Sequence, residues 1–107
     1  MRELSDQTID AARERSLKQN RPMVIDFWGT WCAPCRAMLP ILKSIEAEYS
    51  DVDFYTVNVF SQAPLAARWM VESVPKILIV KGGVVAHVFG VCTKEELVAK
   101  LEEILCE

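Results

Sequence analysis

The six residues Met23-Val24-Ile25-Asp26-Phe27-Trp28 are apolar at every position but one. Side chains alternate between the two sides of a strand, so a run that is apolar in both registers is a strand covered on both faces. Asp51 to Val59 and Lys76-Ile77-Leu78-Ile79-Val80 read as buried strands of the same kind. Helical stretches fall between them. Ser5-Asp6 can cap a helix from about Gln7 to about Lys18, with Ile9, Ala12 and Leu17 on one face. A second helix starts near Cys32 and reaches about Tyr49, with Met38, Leu42, Ile45 and Tyr49 in one stripe. Pro40 lies inside it and should kink it, because proline lacks an N–H and crowds the preceding turn.

The rest of the chain follows the same rhythm. Pro64 suits the first turn of a short helix reaching Trp69-Met70, two residues expected in the core. Ser73-Val74-Pro75 reads as a turn. Gly82-Gly83 makes a tight connection between Lys76–Val80 and Val84–Phe89, which are then antiparallel neighbours. Thr93 caps a last helix with Glu95 and Glu96 in its first turn and a stripe of Leu97, Val98, Leu101, Ile104 and Leu105. The order α, β, α, β, α, β, β, α with doubly covered strands predicts an α/β fold, a central sheet flanked by helices on both faces.

Length and charge bound the function. At 107 residues the chain is one domain, residues 1–107. About two-thirds of the unfolded surface is buried at this size, so a chain 51% hydrophobic needs no disulfide or metal to hold its core. A net charge of −3 carries no basic surplus for nucleic acid or anionic lipid. No apolar run reaches the roughly 18 residues of a membrane span, and Met1 to Asp6 lack the apolar stretch of a secretory signal. The expected location is cytoplasmic; a secreted form with its signal trimmed stays open.

Of four cysteines, two are close together in Trp31-Cys32-Ala33-Pro34-Cys35-Arg36. This pair sits where a strand hands over to a helix N-terminus. Unpaired N–H groups and the helix dipole stabilise negative charge there and lower the pKa of a thiol in the first turn. Pro34 gives up an N–H that would be unpaired anyway. The first cysteine, at the tip, can attack a disulfide; the second, inside the turn, can strike only a sulfur already bound to the first. The alternatives are a structural pair or half a zinc site. Zinc would need Cys92, Cys106 or His87 to complete the set, and none stands at ligand spacing, so the pattern favours redox chemistry without metal or organic cofactor.

Asp26-Phe27-Trp28, Trp31-Cys32-x-Pro34-Cys35, Pro40, Val74-Pro75, Gly83 and Gly90, in this order, resemble the thioredoxin family over nearly the whole chain. The resemblance implies a thioredoxin fold with a central mixed sheet of four to five strands. It also implies dithiol–disulfide exchange with disulfide-containing protein substrates. Electrons would come from thioredoxin reductase or an equivalent donor, with the chain acting as a monomer. Leu4 falls at the family's first strand, which is expected to be short or absent. Asp26 matches a buried carboxylate that relays a proton to or from Cys35, its pKa raised by burial. Pro75 matches a cis-proline, which exposes the Val74 backbone for pairing with substrate. Trp31, Val74, Pro75, Gly90 and Val91 match an apolar docking rim. A narrow-client relative, or a non-catalytic module using the rim alone, is the alternative.

Three departures stand out. Ala33 replaces a glycine between the cysteines and should stiffen the turn. Phe60 replaces an aspartate that bonds the tryptophan matching Trp28, and is expected in the core or as an apolar contact near the site. The family's lysine and threonine at the positions of Thr56 and Lys76 are exchanged, so Lys76 becomes a candidate cationic neighbour of Asp26, against the alternative that its stem lies on the sheet and its charge reaches solvent. Cys92 is expected to be buried and Cys106 exposed. Arg13, Arg15 and Lys18 are expected on a solvated face.

Overall fold

The computed structural model describes residues 1–107. Strand β1 (Arg2–Glu3) precedes helix α1 (Ile9–Gln19), β2 (Met23–Trp28) and α2 (Ala33–Glu46). Then come β3 (Asp53–Asn58), α3 (Ala63–Arg68), β4 (Lys76–Lys81), β5 (Val84–Phe89) and α4 (Lys94–Leu105). The sheet order is β1-β3-β2-β4-β5. Strands β1, β3 and β2 run parallel, while β4 is antiparallel to both β2 and β5. The expected edge strand exists and is two residues long, and Leu4 just beyond it is buried.

The doubly apolar runs do what their pattern implies, because each feeds two cores. On one face Ile25, Phe27, Val57 and Leu78 pack with Ile9 and Ala12 of α1 and Leu65 of α3. On the other face Val24, Phe54, Ile77 and Ile79 pack with Leu42 of α2 and Leu101 of α4. Residue parity therefore decides which layer a side chain of the sheet enters.

Local chemistry sets the element ends. Gly82 and Gly83 adopt φ of 62° and 78°, the left-handed pair that a two-residue hairpin needs. Thr93 closes a reciprocal capping box with Glu96, each side chain taking the other's main-chain N–H. Pro40 lies inside α2, which is helical throughout Ala33–Glu46 and ends short of Tyr49.

Several expectations are corrected. Leu17 is 54% exposed, and Ser16 takes the inward position because its hydroxyl bonds the Arg21 carbonyl that follows the helix. Met70 is 85% exposed rather than in the core: its φ of 56° turns the chain out of α3. Trp69 packs against the core, with the Arg13 guanidinium 5.8 Å from its ring centroid. Arg15 and Lys18 are exposed as expected, with Arg15 bonding Asp53 at 2.9 Å.

Candidate active site

β2 delivers the chain to the sheet's end at Trp28, and the loop Gly29-Thr30-Trp31 leads into α2. Gly29 lies between the Phe60 ring and Val74, since a Cβ there would stand in ordinary contact with them, at 3.5 Å and 3.6 Å. Phe60 is thus an exposed apolar contact beside the loop, the second of its two expected roles. Cys32 is the N-cap of α2, in extended conformation, and its sulfur accepts a hydrogen bond from the Cys35 N–H at 3.1 Å. Pro34 occupies the first turn. The two cysteines are joined in a disulfide, with their Cα atoms 5.2 Å apart. Cys32 is half-buried at the tip, whereas Cys35 is only 3% exposed.

The residues of the expected rim have the following exposure and backbone geometry. Trp31 is 88% exposed, and Val91 and Gly90 are exposed. The Val74–Pro75 bond is cis and Pro75 is buried. Gly90 faces the Pro75 carbonyl, which a side chain at that position would meet at 4.0 Å. Ala33 and Pro34 are exposed on the first turn of α2.

Behind the cysteines lies Asp26, 1% exposed, with its Oδ1 atom lacking a hydrogen-bond partner. Burial alone pushes its pKa up to about 6. Asp26 and Cys35 line the same cavity, of about 280 Å³, under α2. Lys76 does not join them. It sits opposite Phe27, while Ile77 sits opposite Asp26. Directly opposed residues share a face and neighbours in sequence do not, so Lys76 points to the α1 and α3 side and Asp26 to the α2 side. Thr56 is the residue that pairs with Asp26 and shares its cavity. The expected cationic neighbour is therefore corrected: exchanging lysine and threonine between strands also exchanges the sheet face on which the charge lies.

No cluster of three or more His, Cys, Asp or Glu side chains is arranged to hold a metal ion. Glu3 is a cavity residue that pattern reading passed over. Its signal was its place two residues from the N-terminus in a strand too short to show periodicity.

The thioredoxin family model matches residues 5–103. The chain belongs to the thioredoxin family. A thioredoxin of Alicyclobacillus acidocaldarius is 32% identical over 98 residues, covering 90% of this chain and 93% of the relative. A thioredoxin of Pyropia yezoensis is 31% identical over 102 residues, covering 92% of this chain and 95% of the relative. Among solved structures, the thioredoxin NaTrxh of Nicotiana alata superposes with a TM-score of 0.87 at 29% identity, covering 95% of this chain and 90% of that one. The fold is the thioredoxin fold, and the paired Cys32 and Cys35 make this thioredoxin-family chain a dithiol–disulfide oxidoreductase.

Proposed function

We propose that the chain reduces disulfides of protein clients, with Cys32 as nucleophile and Cys35 as resolving thiol. The observation that carries this division is the pair's asymmetry: Cys32 is reachable and its sulfur receives the Cys35 N–H, while Cys35 is buried beneath it. The Cys32 thiolate attacks one sulfur of the client disulfide. A bond forms between Cys32 and that sulfur, the client's S–S bond breaks, and the other client sulfur leaves as a thiolate. Cys35 then loses its proton to the Asp26 carboxylate and attacks the Cys32 sulfur. The Cys32–Cys35 bond forms and the second client sulfur is released. Client cysteines gain two electrons, and the protein's pair is oxidised to the disulfide seen in the structure.

The remaining residues support this chemistry. Burial, which favours the neutral form of Asp26, places its proton exchange close to neutrality. Trp31, Val74, Pro75, Gly90 and Val91 offer apolar contacts and a free main-chain edge for an extended client segment. Ala33 and Pro34 hold the turn and so tune the potential of the pair. Lys76, on the far face, acts on the site only through the strand that follows Pro75. A thioredoxin reductase or equivalent donor returns the electrons, and the protein works as a monomeric single domain in the cytoplasm. No helix is long and apolar enough to cross a membrane.

The test is dithiothreitol-driven reduction of insulin. The wild-type chain is expected to accelerate precipitation of the insulin B chain, and Cys32→Ser to leave the rate at that of dithiothreitol alone. Equal slow rates for both would make the chain a binding module instead.

A further inference from the structure

The cavity under α2 joins the buried end of the site to the sheet's outer edge by a continuous polar row. Glu3 pairs with Thr56 across β1 and β3, and Thr56 pairs with Asp26 across β3 and β2. All three side chains line the cavity, together with Cys35. Exposure rises along the row: Asp26 is buried, Thr56 half-buried and Glu3 exposed. At about 280 Å³ the space has room for several waters, and Asp26 closes its inner end with a buried carboxyl whose Oδ1 has no protein partner. Val74 packs with the core on the opposite sheet face. A client seated on Cys32 and Val74 therefore covers the front of the site and leaves this side entrance open.

We propose that the Glu3–Thr56–Asp26 row is the path by which Asp26 returns its proton to solvent while a client is still attached to Cys32, with the Thr56 hydroxyl as positioning residue. The inference rests on the reading of Asp26 as the base for Cys35. In the resolving step the Cys35 proton moves to the Asp26 carboxylate. It then passes to cavity water held by Thr56 and out past Glu3, so that Asp26 is again a carboxylate. No electron moves in this second transfer. The residues with titratable or charged groups that line the cavity beside Asp26 are Met1, whose terminal ammonium pairs with Glu46 at 3.3 Å, Glu3 from β1, Arg36 and Lys43 from α2, and Cys35 itself. β4 presents only Ile77 opposite Asp26. Arg36 and Lys43 raise the energy of a proton held inside the cavity and so favour its loss to bulk water over its retention on Asp26.

The experiment is stopped-flow tryptophan fluorescence of the reduced full chain mixed with a synthetic peptide disulfide. At saturating peptide the rate reports the Cys35 step, and it is measured in water and in deuterium oxide. The variants are Thr56→Val, Thr56→Ser and Asp26→Asn. Valine keeps the branched shape that the strand favours and removes only the hydroxyl. Thr56→Val is expected to slow the step about tenfold, short of the roughly hundredfold or greater loss for Asp26→Asn, which removes the base itself. Its solvent isotope effect should rise above that of wild type. Thr56→Ser, which restores the hydroxyl, should bring both values back. If Thr56→Val matches wild type in rate and isotope effect while Asp26→Asn is slow, the path is overturned and the role of Asp26 stands. If Asp26→Asn is as fast as wild type, the base assignment fails, and the path with it.

Discussion

The main-chain N–H of Cys35 points at the sulfur of Cys32 from 3.1 Å, across the first turn of α2. This bond is made by the helix end itself, since the first N–H groups of a helix have no carbonyl partner inside it. The same N–H remains available when the disulfide opens and Cys32 carries a negative charge. A sulfur anion there gains a charge-assisted hydrogen bond and the favourable end of the helix dipole. Under the proposed division of roles, Cys35 therefore contributes twice, first through its backbone and later through its thiol.

Burial of Cys35 makes its removal diagnostic. Cys35→Ser leaves Cys32 able to attack but nothing beneath it to release the client. The variant is expected to accumulate a stable mixed disulfide with a peptide disulfide, visible as a mass increase that dithiothreitol reverses. Cys32→Ser should form no such adduct at Cys35, which lies too deep to meet a client.

Asp26 ties the site to stability. Its pKa is about 6 in the fold, against an ordinary value of 3.8. Between those values the folded protein holds more protons than the unfolded chain, so this residue's contribution falls as pH rises from about 4 to about 6 and stays low above. The change corresponds to about 3 kcal/mol. Urea unfolding of the oxidised form should show Asp26→Asn gaining on wild type by about that amount between pH 4 and pH 7.5. A difference between the two proteins that does not change with pH would contradict the burial of an unpaired carboxylate.

Much of this was legible in the residues. Runs such as Met23–Trp28 and Lys76–Val80 declared doubly covered strands because both parities were apolar. Gly82-Gly83 and Thr93 marked ends whose geometry only a few residue types satisfy. The cysteine pair located the site because its spacing and its place before a helix carry the chemistry locally. What failed depended on information beyond local pattern. Whether Lys76 reaches Asp26 is a question of register between β2 and β4, which no local pattern encodes. Met70 looked like core by composition, but the chain leaves α3 through a left-handed residue there. Ser16 displaced Leu17 because a hydroxyl bond to Arg21 competed with apolar burial. Glu3 entered the site from a strand of two residues, too short to announce itself.

The face assignment of Lys76 has its own consequence. Lys76→Thr removes a charge from the α1 and α3 side of the sheet, with the sheet between it and Asp26. The Asp26 titration, followed by carboxyl carbon NMR, is expected to keep its midpoint. A clear upward movement would mean that the ammonium does act on the carboxylate.

The two cysteines outside the site should differ in reactivity. Cys92 is buried, and burial, followed by the nearby Glu96 carboxylate, pushes its thiol pKa up. Cys106 is exposed. In the oxidised native protein, Ellman's reagent is expected to titrate one thiol promptly, with Cys106→Ser abolishing that signal. The second should appear only in denaturant. Two fast thiols would contradict the packing around the loop Gly90 to Cys92.

The most direct measurement concerns the charge at the mouth of α2. The fully reduced Cys35→Ser, Cys92→Ser, Cys106→Ser variant leaves Cys32 as the single thiol, and its alkylation by iodoacetamide can be followed from pH 5 to pH 10. The expected rate profile has its midpoint well below the value of about 8.5 for an unperturbed cysteine. A midpoint at or above that value would mean that the helix end does not stabilise the thiolate.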